Sequence, residues 1–220
     1  MNQNISNNLR LAASLKESFG IKNLPESINH TIGKLKNSEI PPIIYIKGKT
    51  CAGCSVSLIN FTNQSTTKLI VNHESIYTEH CDNSLFNLAV DLISRYISGN
   101  LGPYFFAMDG FIPHKNPISC YMANRPLTDW VKRAGKTCLA AISFGNCATS
   151  GNPSVKTRKN DEHIGVDEYF RKESINKPVV NISGCPINPD SLWTLIVDLV
   201  KAESIEIPIH EMKKYTLKTA

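Results

Sequence analysis

Apolar positions along this chain fall into two kinds of block. The first kind is the short unbroken run: Ile43-Ile44-Tyr45-Ile46, Leu69-Ile70-Val71, Tyr104 to Met108, Cys138 to Phe144, and Val179 to Ile182. Runs of this length without polar alternation predict strands buried on both faces. The second kind is helical: Leu85 to Ile97, with apolar spacing near 3.6, then Leu127 to Ala134, Asp167 to Lys172 and Ser191 to Ala202. Strands alternating with helices predict an α/β fold, a parallel sheet sandwiched by helices. Five such units point to a flavodoxin-like arrangement, in which ligands sit where strands end and helices begin.

Ahead of this pattern, residues 1–40 read as a short helical extension, with Leu9, Leu11, Leu15 and Phe19 at roughly helical spacing. Ser27 to Leu35 admits a second short helix, and Pro41-Pro42 ends the segment. The expected organisation is therefore an extension over 1–40, a flavodoxin-like domain over 41–203 and a tail over 204–220. No internal repeat or low-complexity tract interrupts it.

Composition adds limits. A chain of 220 residues with 41% hydrophobic and 20% charged residues buries a core as one ordinary globular domain. The net charge of +5 comes from scattered basic residues. Their densest run, Lys156 to Lys159, lies in a Gly/Pro/Asn-rich stretch and reads as a solvated loop rather than a nucleic-acid surface. No apolar run approaches the roughly 18 residues a membrane helix needs. The first residues lack an export signal, so the expectation is a cytoplasmic protein, in a compartment where disulfides are uncommon.

Seven cysteines in that setting are informative: Cys51, Cys54, Cys81, Cys120, Cys138, Cys147 and Cys185. An odd count in a reducing compartment favours a metal site plus free thiols over a disulfide framework. Cys51 and Cys54 follow the first predicted strand at the opening of a helix, Cys147 follows the fourth and Cys185 the fifth; all four lie in loops after strands, so a parallel sheet gathers them at one edge. Gly53, Gly145 and Gly184 lie one or two residues before a cysteine, where a sharp turn lets backbone approach sulfur. Four thiolates around an iron–sulfur cube carry negative charge that backbone N–H groups and helix N-termini offset. Pro186 after Cys185 repeats a pairing found in ferredoxin ligand runs. Chemistry alone leaves three readings open. A 4Fe–4S cluster fits the convergence. A zinc site more often uses two close pairs, whereas 92 residues separate Cys54 from Cys147 and 37 separate Cys147 from Cys185. Unrelated thiols, with Cys51 and Cys54 as a redox pair, are the third.

Three segments together resemble the ligand motifs of nickel–iron hydrogenase small subunits: Cys51-Ala-Gly-Cys-Ser-Val-Ser-Leu-Ile-Asn60, Gly145-Asn-Cys-Ala-Thr-Ser-Gly151 and Ser183-Gly-Cys-Pro-Ile-Asn-Pro189. Asp109-Gly110-Phe111-Ile112-Pro113 is similar to that family's Glu-Gly-x-Ile-Pro turn, and the likeness spans roughly residues 41–202. The resemblance implies one 4Fe–4S cluster, the proximal one, held by Cys51, Cys54, Cys147 and Cys185. It implies a large-subunit partner whose nickel–iron centre splits or makes hydrogen, and a further electron-transfer protein as donor or acceptor. Several departures qualify it. No cysteine follows Cys185, so ligands for a second cluster are not expected, and His210 reads as a surface histidine. The usual carboxylate is the shorter Asp109, and Gly53 and Asn152 stand where oxygen-tolerant relatives place extra cysteines, so an unusual proximal cluster is not expected. The short tail and the N-terminal extension keep a second reading open: a regulatory, hydrogen-sensing or assembly paralogue without sustained turnover.

Other polar residues read as structural. Cys138 falls inside a predicted apolar strand and reads as core, and Cys81 and Cys120 as spare thiols. His73 and His80 read as surface contacts, Glu74 and Glu79 lack paired spacing, and Leu192 and Trp193 read as helix core or interface.

Overall fold

The computed structural model describes residues 12–13, 41–61, 69–72, 83–151, 162–188 and 191. Strand β1 (Ile43–Lys47) leads to helix α1 (Gly53–Phe61), strand β2 (Leu69–Asn72), helix α2 (Asn83–Ile97) and strand β3 (Phe105–Asp109). A short strand β4 (Ile112–Pro113) and a hairpin of β5 (Tyr121–Met122) and β6 (Arg125–Pro126) precede helix α3 (Leu127–Thr137). Strand β7 (Ala141–Phe144), helix α4 (Gly145–Ser150), strand β8 (His163–Ile164), helix α5 (Val166–Lys172) and strand β9 (Val179–Ile182) follow.

Five strands form one sheet in the order β2-β1-β3-β7-β9, with every neighbouring pair parallel. This is the flavodoxin order, with its switch point between β1 and β3. β1, β3 and β7 are buried along their whole length, which is why they read as continuous apolar runs. One face packs Ile44, Ile46, Phe106 and Met108 against Ile93 and Ile97 of α2, Trp130 and Val131 of α3, and Tyr169 and Phe170 of α5. On the other, Tyr45 stacks with Phe144 at 6.2 Å between ring centroids and its hydroxyl meets Ser55 of α1.

α3 buries Leu127, Trp130, Val131 and Ala134, a stripe with the helical period. The Trp130 indole donates to the Met122 carbonyl at 2.8 Å and so fastens the β5–β6 hairpin to this helix. The predicted fourth strand is shorter than its apolar run. Cys138 is the residue that caps α3 at its C-terminus and its backbone N–H bonds Ala134, so strand β7 begins only at Ala141. Cys138 is core, as expected, but at the end of a helix and not in a strand. The predicted 1–40 extension and 204–220 tail lie outside the described residues apart from Ala12 and Ala13, which are helical and buried; of the helix expected from Ser191 to Ala202 only Ser191 is described.

Candidate metal centre

The C-terminal ends of β1, β3, β7 and β9 share one edge of the sheet, and each leads into a segment that turns back over it. After β1 the chain passes Gly48 and Lys49, reaches Cys51, and enters α1 with Cys54 in the first turn. After β7 the chain enters α4 directly, placing Cys147 in a six-residue helix. After β9, Cys185 lies in a tight turn closed by the bridge between Gly184 and Ile187, and the Cys185–Pro186 peptide is cis. Cys54 therefore sits in a helical first turn, as its place at the opening of a helix predicts, and Cys147 sits in one where only a loop was expected. Six residues are too few to show a helical period in sequence.

Direct contacts latch the three segments together. Asn146 N–H donates to the Gly184 carbonyl at 2.9 Å, and Gly184 N–H donates to Asn146 Oδ1 at 2.9 Å. Ser57 Oγ donates to the Ile187 carbonyl at 2.8 Å, joining α1 to the Cys185 turn. Cys54 Sγ lies where a Cβ on Gly145 would stand, and Gly145 holds φ +80°. A Cβ on Gly53 would lie 3.5 Å from Cys51 Sγ and 3.7 Å from Pro186 Cβ, which sets the Cys51 turn beside the residue after Cys185. The expectation for Gly53 needs correcting: the left-handed residue of this turn is Ala52, at φ +71°. Gly145 and Gly184, at φ +80° and +149°, do play the part expected of glycine.

The site is half open. Cys54 is buried, Cys147 partly buried, and Cys51 and Cys185 exposed. Burial pushes the Cys54 thiol up to about 11; an Ile187 backbone N–H pulls it down, while Asp109, Cys147 and Cys185 push it further up. Charge on any one of these sulfurs therefore disfavours charge on the others. Among the described residues no three His, Cys, Asp or Glu side chains gather closely enough to hold a single metal ion; the coupling of Cys54 to Cys147 and Cys185 is electrostatic. Four cysteines, backbone N–H donors and glycine turns are a donor set that fits a sulfur-bridged cluster.

Around Ser55, the residue after Cys54, lies a second group that apolar patterning does not reveal. Asp109 closes β3 with no exposed surface, and Ser55 Oγ donates to its Oδ2 at 2.6 Å. Burial raises the Asp109 carboxyl above its ordinary range; the Ser55 hydroxyl, the nearby Tyr45 hydroxyl, the Lys47 charge and the Ser55 backbone N–H oppose that rise. Close backbone approach makes room for the arrangement: Gly48 N–H bonds the Asp109 carbonyl, and a Cβ at Gly110 would lie 2.7 Å from the Gly48 carbonyl carbon. Asn146, Ser55 and Ser57 were visible in sequence only as neighbours of cysteines.

Cys120 is half-buried against the core, and Cys138 lies at the opposite edge, before β7. Burial pushes the Cys138 thiol up to about 12. Cys81, His73, His80, Glu74, Glu79, Asn152, Lys156 to Lys159, Leu192, Trp193 and His210 lie outside the described residues. No helix among the described residues is long and apolar enough to cross a membrane.

Fold and site together define a class: a flavodoxin-like α/β protein that presents cysteines from three strand ends at one sheet edge. The solved structures it resembles carry the same fold. The NiFeSe hydrogenase of Desulfomicrobium baculatum aligns over 73% of this chain and 64% of its own, with a TM-score of 0.54 at 22% identity. The [NiFeSe] hydrogenase of Desulfovibrio vulgaris Hildenborough aligns over 80% of this chain and 63% of its own, with a TM-score of 0.57 at 22% identity. In sequence, the hydrogenase-2 small chain of Escherichia coli K12 is 25% identical over 198 residues, 87% of this chain and 50% of that protein. The F420 non-reducing hydrogenase I small subunit of Methanosarcina mazei is 29% identical over 198 residues, 76% of this chain and 50% of that protein. The chain thus spans about half the length of the curated relatives it matches. The family model described as NADH ubiquinone oxidoreductase, 20 Kd subunit, matches residues 51–199, and the chain belongs to that family.

Proposed function

We propose that this chain is an iron–sulfur electron-transfer subunit of a nickel–iron hydrogenase, holding one 4Fe–4S cluster through Cys51, Cys54, Cys147 and Cys185. The observation that carries the reading is the latching of three cysteine-bearing segments at one sheet edge, through Asn146 to Gly184, Ser57 to Ile187 and Gly145 against Cys54. Kinship with hydrogenase small chains supports the partner assigned here, a large subunit bearing the nickel–iron centre. A second redox protein would take electrons onward or supply them.

When bound, the cluster supplies reversible one-electron chemistry. The chain's own residues do the rest. Cys54 and Cys147 would bind from the first turns of α1 and α4, where the positive end of the backbone dipoles offsets thiolate charge. Ile187 N–H bonds the Cys54 sulfur, and Gly145 leaves that sulfur room. Exposed Cys51 and Cys185 put the open side of the site at the surface, where a partner docks.

Anaerobic reconstitution with iron and sulfide analysis tests the cluster. Four irons and four sulfides per chain, with visible absorption that bleaches on reduction, are expected. Well below four irons after careful reconstitution sinks the proposal. Co-expression with hydrogenase large subunits and a hydrogen-uptake assay with an artificial acceptor tests the role. A stable complex with a reducible cluster and negligible turnover would assign the chain instead to regulation, hydrogen sensing or assembly.

A further inference from the structure

Asp109 stands at the switch point of the sheet, paired in register with Lys47 of β1 and Phe144 of β7. It has no exposed surface, and Ser55, which binds its Oδ2 at 2.6 Å, is itself 5% exposed. Asp109 Oδ1 is buried without a hydrogen-bond partner among the described residues. Burying a carboxylate oxygen unpaired costs stability, and an apolar residue of similar volume would avoid that cost. Ser55 is the residue directly after Cys54, so the carboxylate is tied to the turn that carries a cysteine. A negative charge on Asp109 disfavours the Cys54 thiolate, as charges on Cys147 and Cys185 do. Lys47, 6% exposed, offsets part of the charge from the neighbouring strand.

We propose that Asp109 is a positioning residue that holds a fixed negative charge against the turn that carries Cys54, anchored by Ser55, and so lowers the reduction potential of the cluster at this site. The inference rests on the cluster assignment above. The physical basis is that adding an electron to a cluster already ringed by thiolates is harder when a buried anion lies beside it. Charge, hydrogen bonding and burial are the levers that spread such potentials over roughly a volt. A purely structural role would require only an acceptor for the Ser55 hydroxyl. Asparagine supplies one without the charge, so the two roles separate experimentally.

The test uses the full chain, reconstituted anaerobically, with iron content measured first and the midpoint potential then read by redox titration at about pH 8, far enough above the ordinary carboxylate range to leave room for the upward shift of Asp109. Wild type, Asp109→Asn and Asp109→Glu are compared. The expected result is full iron in all three, a midpoint for Asp109→Glu close to wild type, and a raised midpoint for Asp109→Asn. That rise corresponds to about a tenfold shift of the reduction equilibrium, ~59 mV for one electron. An Asp109→Asn protein with full iron and an unmoved midpoint overturns this inference and leaves the cluster assignment standing. A wild-type chain that holds no cluster overturns both. Where Asp109→Asn does not retain iron, Asp109→Thr is the neutral replacement under the same criterion. Loss of iron in both neutral variants with retention in Asp109→Glu assigns the residue to cluster retention and overturns the potential-setting role.

Discussion

Replacing Gly145 with alanine probes the most crowded point of the site. Gly145 holds φ +80°, a region in which an L-residue costs about 1–2 kcal/mol. The new Cβ would also occupy the space of Cys54 Sγ and lie 3.3 Å from the Gly184 carbonyl oxygen. Cys54 is 8% exposed, so its sulfur cannot swing out without moving its surroundings, and overpacking of this kind costs about 1–3 kcal/mol. Together these predict a loss of about 2–5 kcal/mol, read as a lower urea midpoint with unchanged slope on the metal-free chain. The displaced sulfur should also reduce iron uptake on reconstitution. Gly53→Ala is the matched control. Its Cβ would meet nothing closer than 3.5 Å, and it starts α1, so it should stay within about 0.5 kcal/mol of the parent and take up full iron. A Gly145→Ala protein with parental stability and full iron would refute the reasoning, as would equal behaviour of the two glycine variants.

Ala52→Gly should stabilise the chain, because release from φ +71° returns about 1–2 kcal/mol and the more flexible unfolded chain takes back about 0.4–1; an unchanged or lower urea midpoint counts against strain at that turn. Gly135→Ala improves helix propensity by about 1 kcal/mol, yet its Cβ would lie 2.6 Å from the ring of buried Phe170, so a net loss of about 1–2 kcal/mol is expected in thermal denaturation. The Glu162 carboxyl sits below its ordinary value near 4.5, because Lys172 donates to it at 3.0 Å and Lys115 lies nearby. A lowered carboxylate stabilises the fold above its unfolded value, and that contribution fades as pH falls below about 4.5 through the folded value. Glu162→Gln should therefore lower stability slightly at neutral pH, within ~1 kcal/mol for an exposed pair, and not at pH 2; an equal effect at both pH values would contradict the pairing.

How much was legible follows from where each signal is stored. Parallel strands buried on both faces must be apolar throughout, so Ile43 to Ile46, Tyr104 to Met108 and Val179 to Ile182 announced β1, β3 and β9 within a residue or two. Helix α3 announced itself by a stripe of Leu127, Trp130, Val131 and Ala134. Cys138 was misplaced because a residue buried at a helix end is as apolar as one inside a strand, and hydrophobicity cannot tell the two apart. The β5–β6 hairpin and the β4–β8 pair were not seen, since strands of two residues have no period to detect. Ala52 took the left-handed turn although Gly53 stood beside it, because Gly53 is already the first residue of α1.

Sequence by itself determined the class of fold, the order of its elements and the four cysteines that follow three strand ends, because periodicity and spacing are local and survive in one dimension. Only the tertiary structure decided what surrounds those cysteines. Residues 45, 55 and 109 come from β1, α1 and β3, and residues 146 and 184 from α4 and the turn after β9. Each pair is brought into contact by strand order and register. Hydrogen bonds act over about 3 Å, whereas the residues that make them at this site lie as much as 130 positions apart, as Ser57 and Ile187 do. Their partnership is set by folding alone.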